Sequence, residues 1–202
     1  MTGAIILAAG SSARMGQSKQ KLDIGGQPLL RKTARAVLDT DVPHIVVVLG
    51  AWAQEHESLL DGLQVEIVYN ADWNKGMGTS IRVGIEALMK HPGVSNILIL
   101  VCDQPLLTSE VISNIVAKFN ASRKPIVASS YRGVPGVPVL FDKSYFQRLK
   151  ELPDDQGAKK LILQNRRDIE LVSFPGGEID LDTMADYEAF IQRRLTGPEG
   201  PL

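Results

Sequence analysis

Apolar residues recur along the chain in two alternating rhythms. Residues 4–9, 45–49, 65–69 and 97–102 are short, nearly unbroken apolar runs, the pattern of strands buried on both faces of a parallel sheet. Between them the spacing changes to that of helices. Over 28–39, Leu29, Leu30, Thr33, Val37 and Leu38 cover one face. Over 79–89, Ile81, Ile85, Leu88 and Met89 do the same, and 51–60 accommodates a shorter helix. Strand followed by helix, repeated, predicts an α/β fold with a mostly parallel sheet wrapped by helices.

The second half is less regular. Thr108 is placed to cap a helix whose stripe is Val111, Ile112, Ile115, Val116 and Phe119. Residues 125–130 and 137–141 read as strands, and Gly133, Pro135 and Gly136 between them suit a sharp turn or a sheet edge rather than a central strand. Short helices at 145–149 and 157–163, a last strand at 169–174 and a closing helix at 184–195 complete the pattern. No repeat or low-complexity linker interrupts it, so residues 1–195 are expected to form one domain. Residues 196–202, rich in Gly and Pro, are expected to be a flexible tail.

Composition narrows the function. With 202 residues, 44% of them hydrophobic, the chain fills one core, and a net charge of −1 supplies no global field for nucleic acid or membrane. Phosphate binding, if present, must be local. A single cysteine, Cys102, excludes an internal disulfide and fits a reducing compartment; no run is long enough to span a bilayer, and a cytoplasmic protein is expected.

The chemistry is concentrated in the loop after the first strand. Leu7, Ala8, Ala9 and Gly10 present little side chain, so a base or a phosphate can approach the backbone. Ser11 and Ser12 add hydroxyls to an anion-binding nest, while Arg14 and Lys19 add a planar fork and a point charge. The same composition also describes a surface loop with solvated cations. Asp103 follows a buried strand, where it can hold Mg2+ or cap the next turn. Asp180 and Asp182 alternate before the last helix, as metal ligands or as a helix cap. Gly78, Thr79 and Ser80, with Gly76, offer hydroxyls and free N–H groups at a helix start, suited to an anion or a base edge. His44, His56 and His91 share no ligand spacing and are given no catalytic role, and Trp52 and Trp73 read as packing or rim residues.

The motif Leu-Ala-Ala-Gly-x-Ser-x-Arg-Met-Gly-x-x-Lys resembles the signature of nucleotidyltransferases that load a nucleotide onto a phosphorylated acceptor. Within them it is most similar to the molybdenum cofactor cytidylyltransferase branch. Gly-Met-Gly-Thr-Ser-Ile-Arg, Cys-Asp-Gln-Pro, Gly-x-Pro-Val-Leu-Phe, Asp-x-Gly-Ala-Lys and Asp-Leu-Asp-Thr follow in the same order. The resemblance implies a Rossmann-like three-layer sandwich of the nucleotide-diphospho-sugar transferase type, with a small antiparallel element. It implies CTP as donor, a phosphorylated pterin-type acceptor, and a molybdoenzyme or its chaperone as partner. Residues 7–12 would hold the nucleotide, Ser80 the base, Arg14 and Lys19 the phosphates, and Asp103 with Asp182, in preference to Asp180, the Mg2+. Ala9 favours cytidylyl over guanylyl transfer, because the guanylyl branch resembles Leu-Ala-Gly-Gly here. The chain departs from the pattern at Ser18, where Pro is common, at Lys21, where Leu is common, at Lys159, where Arg is usual, and at Met184, where Pro is usual.

Overall fold

The computed structural model describes residues 1–196, and side chains as far as Arg194; the expected tail lies, past Thr196, outside the described residues. Seven strands form one sheet: β1 (Thr2–Ala8), β2 (His44–Leu49), β3 (Glu66–Tyr69), β4 (Asn96–Val101), β5 (Ile126–Tyr131), β6 (Val134–Asp142) and β7 (Ile169–Ser173), in the order β3-β2-β1-β4-β6-β5-β7. All pairings are parallel except the two made by β6, which runs against both of its neighbours.

Alternation along each strand divides the core into two layers. Ile6, Val47, Leu98 and Leu140 point to one face, where they meet α1 (Leu29–Leu38), α4 (Ser109–Ala121) and α7 (Met184–Thr196). Ile5, Val46, Ile99 and Val139 point to the other, against α3 (Met77–Leu88), α5 (Phe146–Lys150) and α6 (Lys159–Gln164). The remaining helix, α2 (Ala53–Ser58), follows β2. The three-layer expectation therefore holds, with each fully buried aliphatic side chain contributing roughly 1.5–3 kcal/mol. The capped helix start at Thr108 is also present, its hydroxyl accepting from the Val111 amide.

The expected sharp turn is present at Gly133, which with Arg132 joins β5 to β6 at positive φ, 75° and 51°. The alternative of a sheet edge needs correction, since β6, which carries Pro135 and Gly136, lies between β4 and β5. β4 pairs with β6 only over Val139–Asp142, so Pro135, Gly136 and Pro138 lie past the last β4 partner and need no amide donor on that side. Opposite them the β5 register shifts between Ala128 and Ser129. Pro135, Gly136 and Pro138 sit where the ladder is one-sided. The helix over 79–89 also begins earlier than expected, at Met77.

Because six strands run one way, the ends of β1, β2, β3 and β4 and the start of β6 gather at one edge of the molecule, where ligands of open α/β sheets bind. Close packing of α3 on β1 holds this platform. A Cβ on Gly84 would stand 2.6 Å from Ile5 Cγ2, and Ile5 is fully buried. Gly84→Ala should therefore destabilise the protein by about 1–2 kcal/mol in urea unfolding, overpacking outweighing the ~1 kcal/mol gain in helix propensity. An unchanged or increased stability would show that the contact is slack.

Candidate functional site

β1 ends at Ala8, and the chain then turns through residues 9–12 into two short 3-10 turns, Ala13–Met15 and Lys19–Lys21. Ser12 sits at φ 54°, a left-handed conformation that a non-glycine residue adopts at a cost. Its Oγ accepts from the Lys19 amide at 3.1 Å, which ties the strained corner to the far end of the loop. Between these ends lies Gln20, 2% exposed. Its Nε2 donates to the carbonyls of Ala8 at 3.0 Å and Gly10 at 3.2 Å; its Oε1 accepts from Ser18 Oγ at 3.0 Å and Ser12 Oγ at 3.3 Å. Ser18 also meets His56 Nε2 at 2.6 Å, and Lys21 pairs with Glu55, both partners being on α2.

The loop delivers its cations to carboxylates from distant parts of the chain. Lys19 Nζ stands 3.0 Å from Asp103 Oδ2 and 3.2 Å from Asp182 Oδ1, and Arg14 reaches Asp182 Oδ2 at 2.9 Å. Burial opposes the charge on Lys19, but Asp103, and after it Asp182, outweigh that penalty and hold its pKa above the ordinary lysine value. Asp103 therefore does not turn its carboxylate back to cap the turn that follows it; that carboxylate faces Lys19. The backbone adds a further link, the Leu181 amide donating to the Asp103 carbonyl at 3.0 Å, which places Asp180 and Asp182 on either side of that bond. Burial first, then Asp103 and Asp182, push the Asp180 carboxyl up to about 6. Gln104 donates to the carbonyls of Val137 at 3.1 Å and Gly177 at 2.7 Å, joining the start of β6 and the Gly176–Gly177 turn to the same loop.

The Gly76–Ser80 segment is used differently from the expectation. The Gly78 amide is not free, because it donates to the Asp154 carbonyl at 2.8 Å. A Cβ on Gly76 would collide with the Asp154 carbonyl, and one on Gly78 with the Pro153 carbonyl, so both glycines admit the 153–157 loop, and Gly76 also lines the cleft. Thr79 is buried and accepts from Asn70 Nδ2 at 2.7 Å, its hydroxyl facing the Asp72 and Gly76 carbonyls. Ser80, which also accepts from Asn70, is the member of the trio that lines the cleft.

That cleft, about 370 Å³, runs from Ala9, Gly10 and Ser11 past Ser80 to Lys19 and Asp103. Leu7 lines it too; Ala8 and Ser12 instead shape the loop from behind. Trp73 forms part of its wall and packs over Gly50, whose added Cβ would stand 2.6 Å from Trp73 Cβ; Trp52 lies outside, 56% exposed, its indole N–H reaching the Ser11 carbonyl at 3.4 Å. Trp73 is the packing and rim residue it was expected to be, and His56 supports the loop without a catalytic role. Sequence reasoning passed over Gln20, Asn70 and Gln104. Only the match of Gln104 to a motif gave a signal, since a buried carboxamide is recognisable by what it bonds and not by spacing. His44 and His91, far apart in sequence, stack at 4.3 Å away from the cleft. Burial raises the Cys102 thiol to about 12, so it stays protonated.

Two observations bear on a divalent cation. Asp103 Oδ1 is buried with no hydrogen-bond partner among the described residues, and Asp180 and Asp182 supply further oxygens nearby. Among the described residues, however, no three His, Cys, Asp or Glu side chains form a metal cage of their own. A hard cation that takes one or two carboxylates and completes its shell with substrate phosphates fits such a donor set.

A family model for the MobA-like NTP transferase domain matches residues 4–169. The chain belongs to this family. Among its relatives, the purine catabolism protein PucB of Bacillus subtilis is 28% identical, the alignment covering 91% of this chain and 93% of PucB. The molybdenum cofactor cytidylyltransferase of Escherichia coli is 26% identical over 91% of this chain and 92% of its own. A crystal structure of Rv0371c from Mycobacterium tuberculosis superposes with a TM-score of 0.80 at 27% identity, covering 95% and 98% of the two chains, and a further structure of Rv0371c is a complex with manganese. In this MobA-like chain no helix among the described residues is long and apolar enough to cross a membrane.

His56 gives the site a measurable pH signature. It is fully buried, its Nδ1 has no hydrogen-bond partner among the described residues, and burial lowers its pKa to about 4. Above pH 6.5 both the folded and unfolded forms are neutral there. As pH falls from about 6.5 to about 4 only the unfolded chain gains a proton, so stability falls by up to ~1.4 kcal/mol per pH unit. Asp180 acts in the opposite sense, because a raised carboxyl favours the folded state as pH falls. The readout is therefore the difference between wild type and His56→Gln in denaturant titrations: the variant should lack the downward His56 component, and superimposable profiles would refute it.

Proposed function

We propose that the protein transfers CMP from CTP to the phosphate of molybdenum-bound molybdopterin, with Mg2+, releasing pyrophosphate. Residues 1–195 act as one catalytic unit, and a molybdoenzyme or its chaperone receives the product. The observation that carries this reading is the meeting of Lys19 and Arg14 with Asp103 and Asp182 at the mouth of the cleft whose floor is Ala9 and Gly10. The signature Leu-Ala-Ala-Gly and the cytidylyltransferase relative support cytosine as the base.

The acceptor phosphate is ionised at neutral pH, so no general base is required. The work is alignment of two polyanions and stabilisation of the charge that develops as the α-phosphorus is attacked and pyrophosphate departs. Ala9 and Gly10 let the nucleoside lie against the backbone, and Ser80 offers its hydroxyl to the base edge. Lys19 and Arg14 turn their charges to the phosphates. Asp103 and Asp182 would hold Mg2+, with Asp180 beside them; the ion supplies Lewis-acid polarisation of phosphate oxygens. Lys159, close enough to Asp180 to lower its pKa, lies toward the acceptor.

A ligand that binds only the folded state raises its melting temperature. CTP with Mg2+ should stabilise the protein more than GTP, ATP or UTP, and Asp103→Asn should abolish the Mg2+-dependent part. A GTP preference would assign the guanylyl reaction instead; a sugar-phosphate acceptor would show in the product. Lys19→Ala should reduce turnover at least about 100-fold. Tight ligand binding without pyrophosphate release would make the protein a cofactor carrier and refute the transfer.

A further inference from the structure

Gln20 stands between the two ends of the loop, and its chemistry is fixed by its neighbours. The carbonyls of Ala8 and Gly10 can only accept, so the amide nitrogen must face them; the carboxamide oxygen therefore faces Ser12 and Ser18. Two donors and two lone pairs are all engaged, the full capacity of the group. Ser18 has one proton to give, and Gln20 Oε1 takes it. His56 Nε2 then carries its own hydrogen and donates to Ser18 Oγ, leaving Nδ1 as a bare lone pair, in keeping with the absence of a partner there. A directed chain of hydrogen bonds runs from His56 on α2, through Ser18 and Gln20, to the carbonyls at the end of β1.

Such a chain, partly buried and fully paired, is cooperative and costly to break. It is also attached to the group that matters most. Ser12, bonded to Gln20, accepts the amide of Lys19, and Lys19 is flanked by Ser18 and Gln20 in sequence. Rotating the Gln20 carboxamide would release the left-handed corner at Ser12 and the backbone of Lys19 together. The Lys21–Glu55 pair lies on the exposed side of the same junction and contributes little by itself.

We infer that Gln20, backed by the Ser18–His56 hydrogen bond, is the positioning residue that preforms residues 10–19 as a phosphate loop and sets the direction of Lys19. The inference rests on the reading of this loop as the nucleotide polyphosphate site. Gln20 borders the cleft, but its carboxamide donors and lone pairs are all engaged within the loop, so it acts through Lys19.

A double-mutant cycle on nucleotide binding tests it, using the full chain with CTP·Mg2+ and GTP·Mg2+ as probes in calorimetry, and thermal unfolding without nucleotide alongside. Gln20→Leu should weaken binding of the preferred nucleotide on the order of 10- to 100-fold. In a Lys19→Met background the same change should cost less than about threefold, because nothing remains to be aimed. A residue that merely supports the fold would lower the melting temperature and show the same affinity loss, or none, in both backgrounds; either result overturns the inference. Should Gln20→Leu fail to fold, Ser18→Ala carries the same cycle with an expected loss of about 3- to 10-fold, and an unchanged or background-independent affinity overturns it equally. A wild type that binds neither nucleotide, or a Lys19→Met variant that binds as wild type does, refutes the polyphosphate reading itself and the inference falls with it.

Discussion

The ammonium of Lys19 joins carboxylates that the chain brings from far away, Asp103 after β4 and Asp182 just before the last helix. Half-buried charge of this kind is tolerated only where opposite charge is near, and the two aspartates supply it. The consequence is structural as well as chemical. The first loop, the middle strand and the C-terminal segment must all be placed before Lys19 is paired. Supporting contacts lie on the same line: Leu181 to the Asp103 carbonyl, Arg14 to Asp182, Gln17 to Met184, and the Tyr187 hydroxyl to the Asp23 carbonyl. The last helix thereby seats on the first loop.

The sheet makes that convergence cheap. Parallel strands deliver their following loops to a common edge, and the one antiparallel strand, β6, begins where the others end. Gln104 exploits this by bridging β6 and the Gly176–Gly177 turn with a single buried carboxamide. On the other side of the cleft Gly76, Gly78 and Gly157 let the 153–157 loop press against the start of α3; Arg82 secures that loop through the Lys150 and Leu152 carbonyls and the Asp154 carboxylate. Glycines that look like ligand-binding residues in sequence are here the means by which one wall of the cleft is attached to another.

Local pattern was enough to read the sheet, its helices and the capped start at Thr108, because burial on both faces leaves continuous apolar runs and helical spacing leaves stripes. It anticipated the turn at Gly133 but not the place of Pro135 and Gly136 inside the sheet, since only the register of β4 against β6 reveals that these two have a partner on one side alone. The charged residues of the site were recognisable by type and by their place at strand ends. Their pairing was not: nothing near Arg14 or Lys19 in sequence announces Asp182. The neutral supports were least visible. Gln20, Gln104 and His56 matter for the atoms they satisfy, and those atoms belong to segments remote in sequence or to the backbone. Ser18 and Lys21, departures from the resembled pattern, gain meaning only beside His56 and Glu55 on α2.

Charge balance bears on the proposed chemistry. Lys19 and Arg14 are committed to carboxylates, so a polyphosphate that drew them away would leave Asp103 and Asp182 facing one another and facing the phosphates. Like charges at that range are costly, and the buried Asp103 Oδ1 adds an acceptor that none of the described residues satisfies. Asp180 already registers the crowding, its carboxyl raised to about 6 by burial and by the other two aspartates. Asp103 and Asp182 would hold a divalent cation brought with the nucleotide, which would supply the counter-charge that the lysine gives up and would bind phosphate oxygens as well. The carboxylates that now occupy Lys19 are, on this reading, what makes the metal obligatory, and the loop held by Gln20 is what lets the freed lysine find phosphate rather than solvent.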